Sequence, residues 1–274
     1  MATLPKLNSK MDLQILVPTH HKNTEECFKL AKNLNIKSNC LISNQTNESN
    51  VIKNNFLTII NRNDIGVSNN RNSLLENCEG TICACIDDDC PLVDNYEEII
   101  EKEFIKFPDA EFILFNGVVT HENNRLVHNK KTKRVYRFND VSYAGGPGLV
   151  FKKDAIKKYN LSYNTKVGYP NKISFGEDTL FIKNVIDQKA NFVRSSEVLF
   201  IIKDDVDNSS YFKGVTEDFV ISKGCITKII HPRLFWLYKY HYALRIKNWR
   251  NNKFSLKKLV HLLKEGSKLS KEII

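Results

Sequence analysis

Apolar runs and helix-spaced apolar residues take turns along the first half of the chain. Leu13-Gln-Ile-Leu-Val17 reads as a strand ending at Pro18, and Thr24 to Leu34 has helical spacing. Asn39-Cys-Leu-Ile42 and Phe56-Leu-Thr-Ile-Ile60 are short strand-like runs, followed by a helix-like stretch from Ser68 to Glu76. Thr81-Ile-Cys-Ala-Cys-Ile86 is continuously apolar and stops at three aspartates. A helix from Tyr96 to Phe107 and a strand from Glu111 to Val119 complete the alternation. Strands separated by helices of this length predict an α/β fold, a mostly parallel sheet with helices on both faces.

The pattern then changes. His121 to Arg137 is polar and basic, which predicts a loop or hairpin. Ala144-Gly-Gly-Pro-Gly148 reads as a tight turn before the strand Leu149-Val-Phe151 and a short helix from Asp154 to Tyr159. Gly176-Glu-Asp178 opens a helix running to Gln188, and Asn191 to Ile202 is the last clear strand. Beyond Phe219 the chain reads as helices, with an amphipathic stretch from Ser255 to Lys264.

With 42% hydrophobic and 26% charged residues, the 274-residue chain can bury a core, which excludes bulk disorder. No apolar run approaches the roughly 18 residues that span a bilayer, and Met1 to Lys10 lacks the cationic start and apolar stretch of a signal peptide. Both features predict a cytoplasmic protein that is neither exported by that route nor membrane-spanning. Cys78, Cys83, Cys85 and Cys90 cluster, but without zinc-ligand spacing, so Cys83 and Cys85 are expected as small buried apolar groups of a reduced protein. The net charge of +10 is confined to one end: Lys228 to Ile274 holds twelve Lys/Arg and two Asp/Glu, leaving the first 227 residues with 29 of each sign. That basic segment also carries Trp236, Tyr238, Tyr240, Tyr242 and Trp249.

Three short segments carry candidate chemistry. Asp87-Asp88-Asp89 follows a central strand, where open α/β sheets bind ligands. Three adjacent carboxylates call for a positive partner, and Mg²⁺ or Mn²⁺ bridging a diphosphate fits them. The alternative is a solvated acidic turn. Alternation along an extended chain would set Asp87 and Asp89 on one side and Asp88 on the other. Gly66-Val-Ser-Asn-Asn-Arg-Asn72 offers Ser68 as a helix cap and Arg71 as a forked donor for phosphate or a base edge, or merely a capped surface helix. Glu177-Asp178 at a helix start is either dipole-stabilised surface charge or an ionised general base.

In this order these motifs resemble the inverting family-two glycosyltransferases of GT-A fold, particularly those of bacterial capsule and surface-polysaccharide synthesis. The resemblance runs from about Leu13 to Leu263. It rests on Val17-Pro-Thr19, Ser43-Asn-Gln45, the Gly66–Asn72 and Ile86–Asp89 segments, Gly145-Gly-Pro-Gly-Leu-Val-Phe-Lys-Lys153, Gly176-Glu-Asp178 and Ser222-Lys-Gly224. It implies a GT-A catalytic domain over 11–218, with a nucleotide-binding half at about 11–120 and an acceptor half at about 121–218. A helical basic region over 219–274 follows. It implies a nucleotide-sugar donor, most simply a UDP-sugar, and a hexosyl or N-acetylhexosaminyl group moved to a hydroxyl of a lipid-linked saccharide acceptor. Asp89 and Asp87 would bind the metal, Mn²⁺ or Mg²⁺. Pro18, Thr19, Asn44, Arg71, Asp87 and Asp88 would contact the donor nucleotide, and Gly145, Gly146, Pro147 and Gly148 would line the sugar and acceptor pocket. Asp178 would be the catalytic base, with Glu177 beside it. The chain departs from the pattern at two places. Asn44 stands where many relatives carry an acid, and Lys203-Asp-Asp-Val-Asp207 stands where a histidine ligand is common, so either Asp204 or Asp205 substitutes or the metal takes only Asp89, donor phosphates and water; His231 is a distant candidate ligand and is otherwise expected to be structural.

The basic aromatic end, 228–274, is also expected to touch an anionic membrane surface, with the amphipathic stretch lying on the inner face of the cell membrane. The other possibility is a helical subdomain whose aromatics pack on the body. A nucleic-acid-binding module fits the basicity but not a neutral body with three carboxylates at a strand end, and no nucleic-acid partner is expected. A sugar nucleotidyltransferase would need a Gly-rich, Arg- and Lys-bearing triphosphate loop near the first strand, which is not seen.

Overall fold

The computed structural model describes residues 11–120, 124–141, 145–203, 214–249 and 252–274. The body comprises β1 (Leu13–His20), α1 (Thr24–Asn33), β2 (Asn39–Gln45), β3 (Asn50–Lys53), β4 (Leu57–Arg62), α2 (Val67–Asn77), β5 (Ile82–Cys85), α3 (Tyr96–Lys106) and β6 (Phe112–Val119). It continues with β7 (Arg125–Leu126), β8 (Lys133–Val135), β9 (Leu149–Lys152), α4 (Lys153–Lys158), α5 (Glu177–Asp187) and β10 (Phe192–Ile202). Helices α6 (Glu217–Ile230), α7 (Phe235–Lys247) and α8 (Leu256–Ile273) follow.

The strands form one sheet in the order β3-β4-β2-β1-β5-β9-β6-β10-β8, with β7 on β6. β1, β2, β4 and β5 are parallel, and β5 and β6 are both antiparallel to β9, so β6 and its parallel neighbour β10 run the same way as they do. Six strands therefore share one direction, and the α/β class with a mostly parallel sheet is as expected. Strand alternation feeds two cores. Ile15, Val17, Ile82, Ala84, Ile113 and Phe115 pack with Leu30 of α1 and Ile100 of α3. Leu16, Cys83, Cys85, Phe112 and Leu114 pack with Leu74 of α2, Ile156 of α4 and Phe181 of α5. A period of two on every central strand thus covers both faces with helices. Cys83 and Cys85 are buried, as their apolar spacing predicts, and all seven cysteines are free thiols.

Several local expectations change. β1 does not stop at Pro18 but continues to His20, paired to β2 throughout. Pro18 is tolerated because the Leu16 carbonyl points to β5, accepting from Ile86 N–H, so the amide position two residues on faces the side where β5 has already ended. Ser68 does not cap α2. Gly66 takes that position, and the Ser68 hydroxyl inside the helix donates to the Val167 carbonyl at 2.7 Å. Asn23 and Glu26 form a reciprocal capping box at α1.

Helices α6, α7 and α8 share a core of Val220, Ala243, Ile246, Leu259, Leu262 and Leu263. A second cluster ties Cys225, Ile226, Ile229 and Ile273 to Val167 and Ile173 of the body. α6 and α8 approach at Gly224 and Gly266, where an added Cβ would stand 2.8 Å from backbone carbons of Leu263 and Ile221 respectively. The apolar side of α8, with Leu259, Leu262 and Leu263, is thus used inside this bundle. Among the described residues no helix is long and apolar enough to cross a membrane.

Candidate active site

The C-terminal ends of the parallel strands carry one polar residue per strand in register: Thr19 of β1 opposite Asn44 of β2, Asn44 opposite Asn61 of β4, and Asn61 opposite Asn50 of β3. The buried Asn44 amide donates to Asn61 Oδ1 at 2.8 Å and to the Lys22 carbonyl at 2.7 Å, and Asn61 donates to Asn50 at 2.7 Å. Asn44 Oδ1 accepts from the Lys22 N–H. Its side chain holds the segment after β1 and is not turned to solvent.

Where β5 ends, the chain turns, with Cys90 N–H donating to the Asp87 carbonyl at 3.2 Å. The three aspartates are separated by this turn, not by simple strand alternation. Asp88 accepts from the Thr19 hydroxyl at 2.6 Å and has the Lys22 ammonium at 3.8 Å. Asp87, the exposed Asp89 and Cys90 bring one ligand atom each to within 4.8 Å of one another. Burial pushes the Cys90 thiol far up, and it donates to Asp89 Oδ1 at 3.2 Å, so it stays protonated beside the carboxylates. The donors left for an ion are hard carboxylate oxygens, the set that Mg²⁺ or Mn²⁺ accepts together with phosphate. Asp204 and Asp205 lie outside the described residues. His231 instead stacks on Tyr238 with ring centres 4.0 Å apart.

Arg71 organises the site. Its side chain is only 6% exposed, with Nη2 3.0 Å from Asp87 Oδ1 and Nη1 3.2 Å from Asp178 Oδ1. The guanidinium also lies over the Tyr163 ring at 5.6 Å. Tyr163 is stacked on Phe181 and clamped by Asn72, whose amide exchanges two hydrogen bonds with the Tyr163 backbone. The forked donors thus bridge two carboxylates 91 positions apart in sequence, where the sequence pattern alone offers them to phosphate or a base edge.

Asp178 lies in the first turn of α5. Burial pushes its carboxyl up to about 7, against the lowering pull of Arg71, while Glu177 and Asp87 push in the same direction as burial. The backbone N–H of Gly146 lowers it slightly. Burial likewise raises Asp87, opposed by Arg71 and reinforced by Asp89 and Asp88. Glu177 is buried, with Oε2 lacking a hydrogen-bond partner among the described residues.

The Gly145–Gly148 turn joins the same place. Gly146 lies flat against the guanidinium, since a Cβ there would be 2.7 Å from Arg71 Nη2 and 2.8 Å from Cζ. Gly148 N–H donates to the Cys85 carbonyl at 3.0 Å, fixing the turn beside the end of β5. Asp87, Asp178 and Gly146 are therefore joined through Arg71, the Thr19–Asp88 pair stands beside them along the chain, and Asp89 approaches through Asp87. Pro18 stands next to them, half-buried. Lys22, Asn61, Asn70, Asn72 and Tyr163 are additions: Asn70, for example, donates to the Thr19 carbonyl at 2.9 Å. Asn70 and Asn72 lie in a segment already conspicuous for its asparagines. Lys22, Asn61 and Tyr163 carry no comparable signal.

No family model matches the sequence, and no curated protein matches it. Solved structures do. The chain is similar to residues 1–349 of S. aureus TarS, with a TM-score of 0.55 at 12% identity, covering 96% of this chain and 92% of that one. It is similar to the complex of the same fragment with UDP-GlcNAc, with a TM-score of 0.61 at 14% identity over 93% and 80% of the two chains. For the complex with UDP the TM-score is 0.53 at 12% identity over 96% and 92%. At these identities the likeness is one of fold, and the fold is of the GT-A type.

Proposed function

We propose that the chain is a metal-dependent inverting glycosyltransferase. It moves a hexosyl or N-acetylhexosaminyl group from a nucleotide sugar, a UDP-sugar, to a hydroxyl of a lipid-linked saccharide in surface-polysaccharide synthesis on the cytoplasmic side. The observation that carries this reading is the bridge Asp87–Arg71–Asp178, which joins the acidic turn after β5 to the first turn of α5 at the C-terminal edge of the sheet. The complexes of TarS with UDP-GlcNAc and UDP support the choice of donor. Catalysis is assigned to 11–218, its nucleotide half at about 11–120 and its acceptor half at about 121–218, and 219–274 to a helical appendage.

Asp87 and Asp89 would hold Mn²⁺ or Mg²⁺, which supplies positive charge for the departing diphosphate. Thr19 fixes Asp88, and Asn44 fixes the segment around Lys22, so the nucleotide edge of the site is set before a donor arrives. Arg71 acts as a positioning residue that locks the metal-binding acid and the base in one frame. The Asp178 carboxylate takes the proton of the acceptor hydroxyl. That oxygen then forms a bond to the anomeric carbon as the bond to the diphosphate oxygen breaks on the opposite side. One displacement inverts the centre, so an α-linked donor gives a β-linkage. A base whose pKa lies near 7 is well matched to this transfer.

Asp178→Asn tests the assignment in an assay of sugar transfer and nucleotide release. Loss of a general base lowers turnover by about 10²–10⁴-fold, while UDP affinity measured by calorimetry should stay within about twofold of wild type by the same differential-binding logic. A parallel loss of donor affinity would contradict the role.

A further inference from the structure

Among the described residues, the bundle formed by α6–α8 leaves one face of α7 uncovered. On α7, Trp236, Leu237, Tyr240 and Leu244 are each half or more exposed, although each is a large apolar or aromatic residue. Spacings of three, four and seven place Leu237, Tyr240 and Leu244 on one stripe, with Trp236 one turn before Tyr240. The adjoining side of the same helix is satisfied: Phe235, Ala243 and Ile246 are buried. Exposed Arg233, Arg245 and Lys247 flank the stripe, and the Lys239 ammonium lies 4.9 Å from the centre of the Tyr240 ring. α8 adds a second basic row, Lys257, Lys264, Lys268 and Lys271, all exposed and spaced to share one side.

We infer that α7 is a membrane-docking helix that seats Trp236, Leu237, Tyr240 and Leu244 in the headgroup layer of an anionic bilayer, with the basic residues of α7 and α8 drawn to the lipid charge. Charge complementarity selects the occupant. Twelve basic and two acidic residues between Lys228 and Ile274 oppose the pairing of two copies of this face. Leucines at the centre of the stripe offer a nucleic acid neither a stacking surface nor a hydrogen bond. Trp and Tyr at the boundary, an aliphatic stripe and a lysine-rich surround are what a bilayer interface accepts. The surface stands on its own geometry. Its value in presenting a lipid-linked acceptor rests on the transferase reading.

Flotation of the full chain with vesicles tests the inference, comparing pure phosphatidylcholine with an equal mixture of phosphatidylcholine and phosphatidylglycerol. The protein should float with the mixed vesicles only, and added salt should release it. W236S/L237S/L244S, which keeps every charge, should bind at least about tenfold more weakly through the loss of buried apolar surface. K257Q/K264Q/K268Q should weaken binding by about fivefold for each lysine close to the lipid. Both variants should keep the circular dichroism and melting temperature of wild type, and Leu244→Gln serves if the triple apolar variant does not. Undiminished flotation of the apolar variant would overturn the inference. So would a dimer in sedimentation velocity that this variant abolishes, or an oligonucleotide that binds α7 in preference to vesicles. None of these readouts needs donor or metal, so they are independent of whether the enzyme transfers sugar.

Discussion

Gly146→Ala isolates the contact that holds the candidate site together. The new methyl carbon would lie 2.7 Å from Arg71 Nη2 and 2.8 Å from Cζ, against roughly 3.5–4.0 Å for an ordinary contact, so one group must move by about 1 Å. A long side chain elsewhere would swing away at little cost. Arg71 has carboxylates at 3.0 and 3.2 Å on its two Nη atoms, Tyr163 against its face and a side chain only 6% exposed. Overpacking of this kind costs about 1–3 kcal/mol, and loosening a buried ion pair adds part of the roughly 3–5 kcal/mol seen when one partner is lost. The expected loss of stability is about 2–4 kcal/mol. For a chain of this length that lowers Tm by roughly 3–7 °C, readable by urea unfolding and calorimetry. UDP affinity and turnover should fall with it, because Asp87 and Asp178 lose their shared anchor. Stability within about 0.5 kcal/mol of wild type, the range of an inconsequential surface change, would refute the reasoning.

Other consequences follow from the same contacts. Transfer should depend on a group titrating near pH 7: Asp178 acts only when ionised, and burial has raised its pKa to about 7, so kcat/KM should fall about tenfold per unit below that pH. A flat profile between pH 6 and pH 8, two points chosen about one unit either side, would count against Asp178 as the base. Thr19→Val removes the 2.6 Å hydrogen bond to Asp88 without changing shape and should cost about 1–2 kcal/mol in urea unfolding. Gly266→Ala meets backbone of α6, not a movable side chain. It should therefore cost at least about 3 kcal/mol, the upper range of overpacking, and a melting temperature equal to wild type would mean that the helices are farther apart than described.

The framework of the body is legible because it depends on local periodicity. β5 ends where Ile86 gives way to three aspartates, and α1, α3, α5 and β6 lie within a residue or two of where their spacing puts them. β3 is invisible because Asn50-Val-Ile-Lys53 is an edge strand of four residues with no alternation to read. The reversed direction of β9 comes from its pairing between β5 and β6, which no local pattern encodes. α8 runs past Lys264, where the amphipathic stretch read from the sequence ends, because Gly266 is helix interior held against α6 by the missing Cβ. At the site, residue types were readable but partnerships were not. Arg71 looks like a free cation until the fold delivers Asp178 to it, and Asn44 looks like a ligand contact until Asn61 and Lys22 occupy its amide. The raised pKa of Asp178 is a consequence of burial, which outweighs the pull of Arg71 and which no local pattern displays.

The proposed site binds a nucleoside diphosphate through a carboxylate-held metal. The most direct test is the melting temperature of wild type and Asp89→Ala with UDP, GDP, CDP and dTDP, each with and without Mn²⁺. A ligand at about a hundred times its Kd adds roughly 2.7 kcal/mol, which for this chain is a shift of roughly 5 °C. That shift is expected for UDP with Mn²⁺ on wild type, and its loss when either Mn²⁺ or the Asp89 carboxylate is removed. A protein that no nucleotide stabilises, or that UDP stabilises equally without metal and without Asp89, would contradict it.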